Sequence, residues 1–386
     1  MTKTSMATRR EVAEKHKGKY LKSSKEEKGV ILDAVCLATG LSRDRAARIL
    51  SDAAPPPKRR ERRGRKERYG SDVIVALAWI WQLMDCPSSR RLVAGMANMI
   101  EALKRHGELT FRNDTIALLL QISATTADRL LKRARKDFGF RGISTTKPGT
   151  LLKNQIPIRM GDQWDENMPG FVEIDLVAHC GSTTAGEYVN TLDITDINTG
   201  WTETQSVVTK AQHHVFQALM DIKARLPFKL RGVDSDNGSE FINNQLLRYC
   251  NENNICFTRS RSYKKNDNCH VEQKNWHAVR HQMGYYRYEG RKTVEFMNRF
   301  YEVFRLYYNF FLPQTKLIEK FRDGARIRKL YEKPKTPYQR ILQSDVISEE
   351  EKTALIEIFV TLNPVQLKKE MVELQKQLLA LSIPNV

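Results

Sequence analysis

An α/β core at residues 170–290, set between two helical flanks, is the fold class that this 386-residue sequence predicts. Three observations point to it. Short β-branched and apolar runs between Phe171 and Arg259 alternate with helix-length segments, whereas residues 1–53, 71–140 and 291–386 carry helical spacing. Charge divides the chain at similar places: residues 1–70 hold 20 basic and 9 acidic side chains, residues 170–290 hold 13 and 14. Gly, Thr, Pro and Lys are frequent in the stretch before Gly170, so residues 141–169 read as a linker.

In residues 1–53, Val30, Ile31, Ala34, Val35 and Leu37 suggest the apolar face of one helix, which Gly40 breaks. Ser42 is placed to cap a second helix over Arg43–Leu50. This is helix-turn-helix spacing, in which Arg43, Arg45 and Arg48 are candidates for a nucleic-acid groove or its phosphates; a plain helical hairpin fits the same pattern. Residues 54–70 combine Pro55, Pro56 and Pro57 with a basic run, so they read as a linker. Arg59, Arg60, Arg62 and Arg63 are candidate phosphate or minor-groove contacts there, against the alternative of a solvated tail.

Residues 71–140 are expected to be a second helical DNA-binding region. Val73, Val75, Ala76, Ala78, Trp79, Ile80 and Leu83 suggest one helix, Leu92 to Leu103 another, and Ser123 caps a basic helix running to Arg135. The flank at 291–386 is expected to be helical and basic, with the aromatics Phe296 to Phe310 read as core and Arg322 to Arg340 as a basic stretch. Leu367, Met371, Leu374, Leu378 and Leu381 alternate steps of four and three, which suits either a short coiled-coil seam or packing on the same chain.

Composition narrows the class further. Sixty-four Lys and Arg against 45 Asp and Glu give a net charge of +19, with 41% hydrophobic residues. No apolar run is long enough to span a bilayer, and Met1 to Arg10 lack the apolar stretch of a secretory signal, so a soluble intracellular chain is expected. The six cysteines form no Cys-x-x-Cys pair, which argues for reduced thiols and against zinc. A near-neutral segment between basic arms suits metal chemistry on a polyanion.

Within the core, strands are expected at Phe171–His179, Tyr188–Thr195, Thr202–Val208, Leu230–Ser235 and Ile255–Arg259. Helices are expected near 211–226, 239–253 and from Val271. Three antiparallel strands followed by alternating helices and strands is the order of a ribonuclease H-like mixed five-stranded sheet. Alternation puts Asp175 on the face opposite Ile174 and Leu176. Asp236 stands where a strand ends before Asn237-Gly238, and 35 residues separate it from Glu272, near a helix start. Three carboxylates brought to one end of a sheet repel one another unless cations join them, and hard oxygen donors select Mg²⁺ or Mn²⁺. Glu173, Asp193, Asp196, Asp234 and Glu240 lie near these motifs, as supporting or plain surface charges. Arg259, Arg261, Lys264 and Lys265 form a basic loop beside the site, and Asn275 and Arg280 fall near the face of Glu272, so all six are candidate DNA contacts.

The segments Glu173-Ile-Asp175, Ser235-Asp-Asn-Gly-Ser-Glu-Phe241 and Lys265-Asn-Asp-Asn-Cys-His-Val-Glu-Gln-Lys-Asn275 resemble the integrase catalytic domain of DDE transposases of bacterial insertion sequences, relatives of retroviral integrases. The resemblance continues through Tyr308-Asn-Phe-Phe-Leu-Pro313 and Thr336-Pro-Tyr-Gln-Arg340. It implies catalytic and metal-binding roles for Asp175, Asp236 and Glu272, and two Mg²⁺ ions for which Mn²⁺ can substitute. It further implies hydrolysis at a DNA end, then attack of the freed 3′-hydroxyl on target DNA. Expected partners are double-stranded DNA, at element ends and target, and further copies of the chain, in the bacterial cytoplasm with the nucleoid. A DNA-binding regulator and a nuclease that does not join strands are the rival readings. Two departures from the pattern stand out: the His and Cys zinc module of retroviral integrases is missing, and Ser262 occupies a position where relatives commonly carry proline.

Overall fold

The computed structural model describes residues 6–51, 68–132, 134–137, 168–235, 238, 240–241, 243–259, 274–323 and 326–383. It divides into two compact units, Met1–Arg68 and Tyr69–Val386.

The first unit packs α1 (Met6–Lys22), α2 (Lys25–Thr39) and α3 (Arg43–Leu50) around Ile31, Leu32, Val35, Leu41, Ala46 and Leu50. Ser24 and Glu27 start α2 with a reciprocal cap: the Glu27 amide donates to Ser24 Oγ and the Ser24 amide to Glu27 Oε2. Gly40 ends it at φ +66°, a left-handed conformation that costs glycine little. Two expectations change here. Val30 and Leu37 are 71% and 91% exposed, because α1, which the sequence reading did not anticipate, packs on α2 and selects the Ile31–Val35 stripe. Ser42 occupies the cap position of α3, but its side chain makes no capping bond.

The second unit is built on a five-stranded sheet of order β3-β2-β1-β4-β5, from β1 (Phe171–Ala178), β2 (Asn190–Asp196), β3 (Thr202–Val207), β4 (Gly232–Ser235) and β5 (Cys256–Arg259). β1, β2 and β3 pair antiparallel, and β4 and β5 join parallel to β1, which is the ribonuclease H-like arrangement. On one face, Val172, Ile174, Leu176, Leu192, Ile194 and Val233 form an apolar core with α8 (Gln212–Arg225) and α9 (Asn244–Glu252).

The remaining helices of this unit are α4 (Ser71–Leu83), α5 (Ser89–Arg105), α6 (Asn113–Leu120), α7 (Ala124–Leu130), α11 (Gly290–Phe311), α12 (Pro337–Leu342), α13 (Glu349–Thr361) and α14 (Pro364–Leu381). A π-helical stretch, Asn275–Arg280, runs into α10 (His281–Met283). The segments read as separate regions at 71–140 and 291–386 share one hydrophobic core, where Phe300, Phe304, Tyr307, Tyr308, Phe310 and Phe311 are buried. Met371, Leu374 and Leu378 of α14 pack into it on α11, so that seam serves the same chain.

α11 also protects the edge of the sheet. Asn309 accepts from the Thr202 amide at 3.0 Å and donates to the Thr202 carbonyl at 2.8 Å, and Asn298 does the same for Ser206 at 2.6 and 3.1 Å. Each amide side chain thereby imitates a neighbouring strand and occupies backbone groups that would otherwise recruit one.

Two further expectations are corrected. The basic helix from Ser123 is short: α7 ends at Leu130, and Arg135 turns onto Asp128, Ser89 and the Trp81 ring. The C-terminal flank is not wholly helical either. β6 (Leu317–Asp323) and β7 (Arg326–Tyr331) form an antiparallel ribbon where only a basic stretch was expected. Among the described residues, no helix is long and apolar enough to cross a membrane.

Candidate active site

The second face of the sheet is polar. Glu173, Asp193, Thr195, Thr204 and Asp234 are buried, and Asp175 is half-buried among them. Alternation along β1 forces this division: Val172, Ile174 and Leu176 take the apolar side, so Glu173 and Asp175 take the other.

Two hydrogen bonds fix Asp175. The Leu176 amide donates to its Oδ1 at 2.8 Å, and Asn275 Nδ2 donates to its Oδ2 at 2.5 Å. Burial raises the carboxyl above its ordinary range, with Glu240 adding to the rise, while the two donors and Arg280 oppose it. The Asn275 bond joins β1 to the π-helical stretch. Such wide turns often occur at functional positions.

Asp193 is the cross-strand partner of Asp175 and is fully buried. Neither of its oxygens meets a well-formed hydrogen bond. Burial, and then the Asp175 charge, push its carboxyl well above the ordinary range. Lys274 lies behind it, donating to Gln314 Oε1 and, at 3.3 Å, to the Tyr308 hydroxyl. Burial and the charges of Arg91 and Arg340 hold its ammonium well below the ordinary range.

Asp236 and Glu272 lie outside the described residues, as do Arg59, Arg60, Arg62, Arg63, Arg261, Lys264 and Lys265. Arg259 is buried at the end of β5, opposite Ser235 of β4. Asn275 bonds Asp175 rather than reaching outward, and Arg280 is half-buried beside the Tyr285 ring, 5.2 Å away. In the first unit Arg45 and Arg48 are exposed, and Arg43 pairs with Asp33. Of the acids noted near the motifs, Glu173, Asp193 and Asp234 share the polar face with Asp175. Asp196 instead orders the turn after β2, accepting from Gly170 and Thr199, and Asp234 accepts from Thr258.

One cluster escaped the sequence reading. Asp85 Oδ2 lies 3.3 Å from His281 Nε2, and Asp85 Oδ1 lies 3.2 Å from Lys368 Nζ, which ties the segment carrying Asn275 to α4 and α14. The His277 and His281 rings are nearly parallel, 5.6 Å apart. Their four-residue spacing was a legible signal. The position of Asp85 was not, because it depends on a left-handed backbone at φ +64°.

Residues 165–265 match the family model described as the integrase core domain. The uncharacterized protein y4rM of Sinorhizobium fredii is 39% identical over 340 residues, which cover 87% of this chain and 95% of that protein. Among solved structures, the catalytic core domain of BIV integrase is similar at 14% identity, over 46% of this chain and 95% of that one, with a TM-score of 0.29. The HTLV-2 integrase catalytic core domain in complex with magnesium is similar at 16% identity, over 28% and 66%, with a TM-score of 0.23. Scores this low leave the fold to be judged from its own strand order and from the family match.

Proposed function

The chain belongs to the family of the y4rM protein and carries an integrase core domain, and from that premise we propose that it is a transposase or integrase that cuts DNA ends and joins them to target DNA. The bond from Asn275 to Asp175 is the observation that carries this reading. It brings the start of the helical segment, three residues after Glu272, to the strand that holds Asp175. Ser235, the residue before Asp236, pairs with Ile174, the residue before Asp175. Both sequence neighbours of the triad are therefore held near Asp175, which supports Asp175, Asp236 and Glu272 acting together.

The donor set fits a hard divalent cation. Asp175 and Asp193 sit opposite each other, and among the described residues no cationic side chain is hydrogen-bonded to either carboxyl. Asp175, with Asp236 and Glu272, would hold Mg²⁺ or Mn²⁺. Two such ions, when bound, stabilise the attacking and leaving oxygens of a phosphoryl transfer. The chain's own contribution is positional: Asn275 and the Leu176 amide orient the Asp175 oxygens. Double-stranded DNA and further copies of the chain are the proposed partners.

The test incubates the full chain with Mg²⁺, labelled terminal DNA and a target plasmid. Joined product is expected, and Asp175→Ala or Asp236→Ala should slow its formation by about a hundred- to a thousandfold, the scale at which electrostatic stabilisation acts. Intact joining by Asp236→Ala would refute the triad. Cut but unjoined DNA would favour a nuclease, and a shifted band without chemistry a regulator.

A further inference from the structure

We propose that Asp85 is a positioning residue for the phosphoryl transfer, acting through Asn275, an inference that rests on the reading of the chain as an enzyme that cuts and joins DNA. The Asn275 bond to Asp175 holds only while the π-helical stretch keeps its rotation. On a helix of about 3.6 residues per turn, His277 and His281 stand roughly 200° and 240° round from Asn275. Both meet Asp85 there: its Oδ2 lies 3.3 Å from His281 Nε2 and 3.9 Å from His277 Nε2. The segment is thereby held between β1 on one side and the Asp85 carboxylate on the other.

Asp85 is placed there against local preference. It follows the last residues of α4, where the free carbonyls of a helix end disfavour an anion. Its backbone is left-handed at φ +64°, and Cys86 follows at φ +52°. Such conformations are strained for residues with a Cβ, persist where the surroundings fix them, and cluster at functional positions. Here the Asp85 amide donates to the Gln82 carbonyl at 3.0 Å, the Cys86 amide to the Trp81 carbonyl at 2.9 Å, and Trp81 Nε1 to the Pro87 carbonyl at 2.9 Å. Burial would raise the Asp85 carboxyl, but His281, Lys368 and His277 outweigh it and hold the group below its ordinary range, so it stays an anion.

α14 closes the arrangement. Lys368 Nζ lies 3.2 Å from Asp85 Oδ1 and 5.5 Å from the centre of the Tyr307 ring on α11. Gln375 Nε2 donates to the Gln282 carbonyl at 3.0 Å, and Gln282 Nε2 donates in turn to the His277 carbonyl at 3.2 Å. These bonds grip the π-helical turn itself, a rare geometry that needs support. Letting it relax to an α-turn rotates Asn275 against His281 and takes its amide off Asp175.

The experiment is a double-mutant cycle on the joining rate of the full chain with Mg²⁺, labelled terminal DNA and a target plasmid. It compares wild type, Asp85→Gly, Asn275→Ala and the pair, with folding checked by circular dichroism. Glycine removes the carboxyl and accepts the left-handed backbone. Asp85→Gly is expected to slow joining about 10- to 100-fold, the scale of a displaced active-site group. With Asn275 already alanine it should cost less than about twofold, because residues acting through one contact are not additive. His281→Phe keeps a ring against Trp276, cuts the same link from its other end and should behave alike, so the test survives if Asp85→Gly does not fold. Asp85→Asn, which keeps an oxygen for His281 and tolerates the same backbone, should recover most of the rate. In the asparagine-labelled chain free of Mg²⁺ and DNA, the Asn275 side-chain amide signal, identified by its loss in Asn275→Ala, should move in Asp85→Gly and in His281→Phe. Equal losses with and without Asn275, wild-type rates in both variants, or an unmoved amide signal overturns the positioning role alone. A wild type that neither cuts nor joins DNA overturns the function and the role built on it, and the amide signal then still decides whether Asp85 sets Asn275.

Discussion

Val172, Ile174, Leu192, Ile194 and Val233 press one face of the sheet onto α8 and α9, whereas Glu173, Asp175, Asp193, Thr195 and Thr204 line the other. The same strands supply both, one residue out of step. The apolar face gains free energy from burial in proportion to its area. The polar face must satisfy every group it buries, and at Asp193 it does not. A fold keeps such a face only with compensation elsewhere, and the unsatisfied Asp193 carboxyl beside Asp175 is a deficit that a bound cation would relieve. The difference separates residues that hold the sheet together from those held ready by it.

Three measurements would break or sharpen that division. Leu192→Ala on the apolar face should cost about 2–5 kcal/mol in denaturant unfolding, the range for a buried leucine. A cost below about 1 kcal/mol would mean that the apolar face is not the stabilising one.

On the polar face, His179 is buried with its Nε2 2.8 Å from Thr191 Oγ1, and burial pushes its imidazole down to about 3. The unfolded chain then takes up a proton near pH 6.5 that the folded chain refuses, so this stability is present above pH 6.5 and lost as pH falls toward 3. One such proton amounts to about 2 kcal/mol between pH 6.5 and 5. His277, also held at about 3, adds a comparable loss. His179→Gln should therefore remove roughly half of the acid sensitivity in that window, read as unfolding midpoints against pH. An unchanged pH profile would contradict the burial of His179.

The smallest effect is expected from Asp193→Asn. In chelator at pH 7, replacing this carboxyl with a neutral amide of similar shape should raise stability by about 1 kcal/mol, the lower end of the penalty for an unsatisfied buried group. Destabilisation would show that the carboxyl is better compensated than its geometry indicates.

Much of the core was legible because strand alternation and turn residues are local. The five strands, the helix after β3 and the position of Asp175 opposite Ile174 and Leu176 all follow from period-two patterning and short apolar runs. Asp193 shows where that legibility stops. Its neighbours marked it as a strand residue, but its burial depends on distant segments packed on that face, as Tyr301 of α11 shows by reaching Thr191 of the same strand at 3.2 Å. That Lys274 ends against Tyr308 and Gln314 likewise required the tertiary structure.

The flanks divide in the same way. Gly40 was legible as the end of α2, because a C-terminal cap acts within a few residues. Which stripe of α2 is buried was decided by α1. Short-range periodicity and the order of the acids therefore determined the sheet, its two faces and the candidate triad. The tertiary structure alone decided that residues 71–130 and 291–381 share one core, that Asn275 reaches Asp175, and that β6 and β7 pair as a ribbon. Those features arise from contacts between distant segments, whose geometry no local pattern encodes.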